Sequence, residues 1–142
     1  YRREGVVSRC LWHVFRKCTK RINRKTQNYI MEETITWGDF SKIDMRVGTV
    51  IAVYDFPEAT NPSYKLEIDF GSEIGVRKTS AQITEKYKKE EIIGNQVIAV
   101  VNFPKKQIAN FMSECLILGA VEKSSVVLIQ PQMKVPNGLK IS

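Results

Sequence analysis

The run Asn102-Phe103-Pro104-Lys105-Lys106-Gln107-Ile108-Ala109-Asn110-Phe111-Met112-Ser113-Glu114 interleaves paired cations, amides and a hydroxyl with two aromatic rings. Lysine ammonium groups attract phosphates, amides and hydroxyls sense geometry or a base edge, and a phenylalanine ring can stack a base for about 1–3 kcal/mol. A second group, Arg77-Lys78-Thr79-Ser80, brings two cations and two hydroxyls to the end of a predicted strand. The candidate nucleic-acid ligands are therefore Arg77, Lys78, Ser80, Asn102, Lys105, Lys106 and Ser113. Phe103, Ile108, Phe111 and Met112 offer a different chemistry, an apolar groove for an unfolded peptide. Charged residues at strand ends are usually just solvated and phenylalanines beside loops are usually core, so composition alone favours those ordinary roles.

Two short apolar runs hold the first segment in place, Gln96-Val97-Ile98-Ala99-Val100-Val101 before it and Cys115-Leu116-Ile117-Leu118 after it. Both read as buried strands. Pro104 cannot donate a ladder hydrogen bond, so the stretch between them is expected to be a connection rather than more sheet. Loops presented in this way by a rigid sheet are where binding chemistry tends to reside.

The elements upstream follow the same β-rich punctuation. Trp37 to Ile43 predicts a short helix capped by Asp39. Asp44 to Tyr54 alternates apolar and polar residues around Gly48, the pattern of a strongly bent barrel strand. Tyr64 to Phe70 is a period-2 strand, and Gly71-Ser72-Glu73 turns it into a hairpin with Ile74 to Thr79. Ser80 to Tyr87 reads as a strand end leading into helical turns that stop at Gly94. Ser125 to Gln130 predicts a further strand, and Val135 to Ile141 a turn with a last short one. The fold class expected is mainly all-β: a five-stranded OB barrel with a short helical insertion and extra C-terminal strands. In that barrel the third and fifth strands are neighbours, which would bring the two basic groups onto one face.

Charge is unevenly distributed along the 142 residues. The net charge is +7 and the pI about 9.4. Residues 1 to 30 hold nine Lys or Arg against the single acid Glu4, a net of +8, whereas the remaining 112 residues hold 13 bases and 14 acids, a net of −1. The chain thus divides into a basic N-terminal extension, 1–30, and a nearly neutral domain, 31–142. Met31-Glu32-Glu33-Thr34 reads as a natural start, so the extension is expected to derive from cloning or an upstream reading frame. At face value, Val7, Cys10, Leu11, Val14, Phe15, Cys18 and Ile22 recur at helical spacing, giving a basic amphipathic helix suited to an apolar surface, a membrane or RNA.

Several classes of function are disfavoured. His13 is the only histidine, so Ser-His and Cys-His nucleophilic systems are excluded from the main domain. Paired carboxylates in an apolar setting and Gly-rich phosphate loops are both missing. Cys10, His13 and Cys18 make only three of the four ligands a zinc site needs, so no metal and no cofactor is expected. Three cysteines do not form a disulfide framework, which fits a reducing compartment. No apolar stretch approaches the roughly 20 residues of a helical membrane span.

Five blocks then carry a resemblance. Asp44-Met45-Arg46-Val47-Gly48, Pro62 to Gly71, Lys78-Thr79-Ser80-Ala81-Gln82-Ile83, Val100 to Lys106 and Met112 to Gly119 occur in the order, and near the spacing, of the tRNA-binding domain family. That family includes appendages of methionyl-tRNA synthetases, stand-alone tRNA-binding proteins and the CsaA-type export chaperones. Asp69-Phe70-Gly71-Ser72-Glu73-Ile74-Gly75 and Gln96 to Pro104 are most similar to the CsaA branch. The resemblance implies an OB fold dimerised through C-terminal strands, and a non-enzymatic, cytoplasmic protein needing no cofactor. It implies a surface for tRNA at Ser80, Asn102, Lys105, Lys106 and Ser113, and as an alternative a homodimeric export chaperone for unfolded preproteins and the motor SecA. Ala109-Asn110 departs from relatives that carry a basic residue and a glycine, and Cys115-Leu116 from a Gly-Met pair.

Overall fold

The computed structural model describes residues 32–142. The expectations for segment 1–30 lie outside these described residues. In chain order the elements are α1 (Trp37–Ser41), β1 (Met45–Asp55), β2 (Tyr64–Asp69), β3 (Val76–Ala81), α2 (Lys89–Ile92), β4 (Gln96–Val100), β5 (Lys106–Ile108), β6 (Phe111–Ser113), β7 (Leu116–Ile117), β8 (Gly119–Glu122) and β9 (Ser125–Leu128).

Strand β1 organises the barrel because it is long enough to serve two partners. Its first part, Met45 to Thr49, pairs with β4, and Thr49 to Asp55 pairs with β2. A register shift between Val50 and Ala52 bends it where the partners change over, as an extra residue in one strand does. Gly48 makes this crossing possible. A Cβ there would lie 2.5 Å from Ile68 Cγ2 and 2.8 Å from the Phe70 ring, a clash that would force the packed core apart.

The antiparallel sheet runs in the order β3-β2-β1-β4-β7. It curls until β3 meets the residues leading into β7, where the Glu114 amide donates to the Lys78 carbonyl at 2.7 Å. The result is a nearly closed five-stranded barrel of OB type. Inward-facing Val50, Leu66, Ile68, Phe70, Ile83, Val97 and Ile117 fill it, with Ile92 of α2 closing one end. Each such side chain contributes roughly 1.5–3 kcal/mol through removal from water. The extra C-terminal strands β8 and β9 pair with each other, and the tail returns to β1 through the Arg46↔Lys140 bridge.

Three local expectations are corrected. The segment between β4 and β7 is not a plain connection: β5 and β6 form a hairpin within it, and Pro104 lies just before β5, where no ladder donor is required. The cap of α1 is Thr36, whose hydroxyl accepts the Asp39 amide hydrogen at 3.1 Å while Asp39 returns a carboxylate to the Thr36 amide at 3.0 Å. Asp39 is thus the third-position partner of a capping box. The connection after β2 takes six residues, 70–75, rather than three, because Gly71 and Gly75 both adopt positive φ, and β3 therefore starts at Val76.

Candidate nucleic-acid interface

Register decides which of the basic residues share a face. Lys65 pairs with Ser80 and Glu67 with Lys78, while Leu66 pairs with Thr79 and Ile68 with Arg77. Because side chains alternate along a strand, Lys65, Glu67, Lys78 and Ser80 lie on the outer face of the barrel, and Arg77 and Thr79 on the core side. Arg77 and Lys78 are sequence neighbours that point apart. The Arg77 Nε is buried without a hydrogen-bond partner, and its charge reaches inward to Glu114 and Cys115.

The hairpin is divided in the same way. Lys106 pairs with Ser113 and Ile108 with Phe111, on the side facing the barrel; Gln107 and Met112 form the opposite, exposed side. Ser113 is fully buried, its hydroxyl 3.2 Å from that of Thr79 and 3.3 Å from the Cys115 carbonyl. Thr79 donates to that same carbonyl at 2.7 Å. These hydroxyls bind the hairpin to β3. Ser80 is buried too, so neither serine of the sequence-derived set stands on the surface of this chain.

Asn102 is also engaged. Its amide nitrogen donates to the Lys42 carbonyl at 2.6 Å and its oxygen accepts the Asp44 amide hydrogen at 3.0 Å. It joins the start of β1 to the end of β4 and so fixes where the Lys105-Lys106 segment departs.

The two basic groups converge at Glu114. Its amide donates to the Lys78 carbonyl, one carboxylate oxygen accepts the Lys78 amide hydrogen at 3.0 Å, and the other lies 3.1 Å from Lys105 Nζ. Burial pushes the Glu114 carboxyl up, but the Lys78 amide and the Lys105 ammonium outweigh it and hold the pKa below the ordinary value. Lys78 itself faces Glu67 at 3.7 Å. Lys78 and Lys105 are well exposed, Lys106 and Arg77 half-buried, and neither of the latter two has an ion pair among the described residues. Next to this seam Cys115 is fully buried, and desolvation raises its thiol to about 12. It is a small core residue rather than a nucleophile.

The four apolar candidates do not line one groove. Phe111 packs on Phe56 at a centroid distance of 5.5 Å and Ile108 shares its face, whereas Met112 points away and Phe103 is exposed in the preceding loop. No cluster of His, Cys, Asp and Glu suited to a metal occurs among the described residues. None of their helices is long and apolar enough to cross a membrane.

Residues 45–140 match the tRNA_bind family model, which describes a tRNA binding domain. The chain belongs to the tRNA-binding domain family. Among solved structures, the barrel is similar to the chaperone CsaA of Bacillus anthracis, with 51% identity and a TM-score of 0.74 over 78% of this chain and all of that one. CsaA of Picrophilus torridus gives 56% identity and a TM-score of 0.73 over 77% of this chain and 100% of that one. Methionine–tRNA ligase of Pyrococcus abyssi is 33% identical over 90% of this chain, which spans only 17% of that enzyme's length. The resemblance read from the five sequence blocks therefore holds.

In this tRNA-binding domain, sequence reasoning missed the residues that manage the charge. Glu114 is the only acid in the Asn102–Glu114 run, a signal that was present but unread. Glu67 and Lys65 are, in sequence, only two positions of the Tyr64 to Phe70 period-2 strand.

Proposed function

We propose that this domain binds tRNA at the seam between β3 and the β5–β6 hairpin, in the manner of a CsaA-type protein rather than of an enzyme. The observation that supports this most directly is the gathering of Lys78, Lys105 and Arg77 around Glu114, with Lys106 next along the hairpin, in a chain whose family is defined by tRNA binding. With Ser113 and Asn102 committed to internal bonds and Ser80 buried, the accessible contacts are cationic and would read the shape of the phosphate backbone more than base identity. Binding should be salt-dependent and alike for different tRNAs. The test is a salt titration of tRNA binding by the parent and the Lys105→Ala/Lys106→Ala double variant, each with and without residues 1–30. Weaker binding and a lower salt slope in the double variant support the reading. Equal binding, or binding that vanishes with residues 1–30, overturns it.

A second reading follows from the solved chaperones, which share about half of their residues with this chain. It is a cytoplasmic, homodimeric holder of unfolded preproteins that engages SecA. Exposed Phe103 and Met112 favour an apolar ligand. A second copy is favoured by Trp37 and Met133, 87% and 77% exposed, and by an apolar hollow of about 430 Å³ between α1 and the tail residues Lys140 to Ser142. Sedimentation tests the dimer, and suppression of client aggregation at stoichiometric dimer tests the chaperone; a monomer or no suppression removes the corresponding claim.

A further inference from the structure

One cluster beside the interface is occupied neither by the core nor by the basic seam. The connection between β1 and β2 contributes Phe56, nearly fully buried, and Glu58. The hairpin contributes Phe111 and, at its tip, Asn110. Between them stands Lys65 of β2, its ammonium 4.5 Å from the Phe56 ring centroid, 5.6 Å from that of Phe111 and 3.6 Å from Glu58 Oε2. The Asn110 amide approaches the same carboxylate. Two loops and a strand thus meet on one side chain.

The hairpin requires such an anchor. Its strands have three residues each, and a two-stranded ribbon of that size does not hold itself together in water. The Ser113 and Thr79 hydroxyls secure its base, and the Lys65 cluster meets its tip. The ring faces attract the ammonium, more strongly as water is excluded. The Lys65 side chain is only 23% exposed, against 55% for Lys78 and 60% for Lys105. It is turned toward the rings rather than offered to a phosphate.

We propose that Lys65 is a positioning residue of the interface, clamping the β5–β6 hairpin to the β1–β2 connection through Phe56, Phe111 and Glu58 and thereby fixing where Lys106 stands. The consequence for tRNA rests on the function proposed above; the clamp itself does not.

The experiment uses the full chain with Lys65→Met, which keeps an apolar stem, and Lys65→Arg, which keeps charge and stacking. Amide hydrogen exchange of residues 106–113 is measured without RNA, followed by tRNA affinity across a salt series. Lys65→Met should speed exchange in 106–113 by about tenfold and weaken tRNA several-fold with the salt slope unchanged. Lys65→Arg should restore both. Phe111→Leu, which removes a ring and keeps the charge, should speed exchange in the same residues and covers the case in which Lys65→Met does not fold. Exchange at the parent rate in the variants overturns the clamp. So does a salt slope lowered by about one with exchange unchanged, which would make Lys65 a phosphate contact. If the parent binds no tRNA, exchange still decides the clamp, and only the tRNA reading falls.

Discussion

Glu114 and Lys105 form an ion pair of 3.1 Å on the surface where phosphate is expected to dock, while the second Glu114 oxygen accepts the Lys78 amide hydrogen at 3.0 Å. One acid therefore closes the barrel between β3 and the last strands and also occupies a cation of the proposed interface. A phosphate reaching Lys105 must compete with a carboxylate already in place. Lys78 is similarly held by Glu67. This pairing explains how a domain with a net charge of −1 over residues 31–142 can present lysines without forming a broad positive surface.

Replacing Glu114 by Gln separates its two roles. The amide oxygen of Gln can still accept from the Lys78 N–H, while the competing charge is gone. Glu114→Gln is expected to tighten tRNA binding by about two- to fivefold at low salt and to steepen its salt dependence. Glu114→Ala removes the acceptor as well and should cost about 1–2 kcal/mol of stability, read as a lower urea midpoint. Weaker tRNA binding by a stably folded Glu114→Gln would mean that the carboxylate assists the interface rather than restraining it.

Acid should reveal the same carboxylate. Its folded pKa lies below the ordinary 4.5, so its stabilisation is complete above that value and is lost as pH falls through the folded pKa. Urea midpoints measured from about pH 6 down to about pH 3 should fall more steeply for the parent than for Glu114→Gln. Parallel curves would show that Glu114 does not contribute through its charge.

Much of the barrel was legible because its strands carry long alternating patterns. β1, β2 and β4 begin and end within a residue or two of the expected positions: β2 buries Leu66 and Ile68 at every second residue, β4 is a short apolar run buried on both faces, and the alternation of β1 is interrupted only near its register shift. The β5–β6 hairpin was not legible: three residues are too few to establish a period, and Pro104 signalled only a break. In the site, the convergence of the two basic groups followed from barrel topology alone. The burial of Ser80 and Ser113 and the opposed directions of Arg77 and Lys78 did not, because they depend on which strand face is covered. The part played by Glu114 depends on Lys78, 36 residues away, and local sequence contains no trace of that pairing.

The hairpin turn offers a gain in stability. Ala109 adopts φ 51 between Ile108 and Phe111, which pair across the turn. Its Cβ is strained in that region, whereas glycine enters it freely. Ala109→Gly should raise stability by about 1 kcal/mol, the relief of strain exceeding the extra chain entropy of glycine. The salt slope of tRNA binding should not change. An unaltered or lower urea midpoint would show that the turn tolerates Ala109 without cost.

Asn102 gives the clearest separation of architecture from recognition. From sequence it belongs among the RNA contacts, yet its amide already bonds the Lys42 carbonyl at 2.6 Å and the Asp44 amide at 3.0 Å. Both bonds are exposed, so their loss in Asn102→Ala should cost on the order of 1 kcal/mol. The segment leading to Lys105 would then lose its brace to the start of β1. A neutral amide releases no counterions, so tRNA affinity should fall with the salt slope intact, in contrast to Lys106→Ala, whose slope should drop by about one. The deciding comparison is between stability and affinity in the same variant. A bracing Asn102 must lower the urea midpoint as well as the affinity, whereas weaker tRNA binding at an unchanged midpoint would make the amide a direct contact with the nucleic acid.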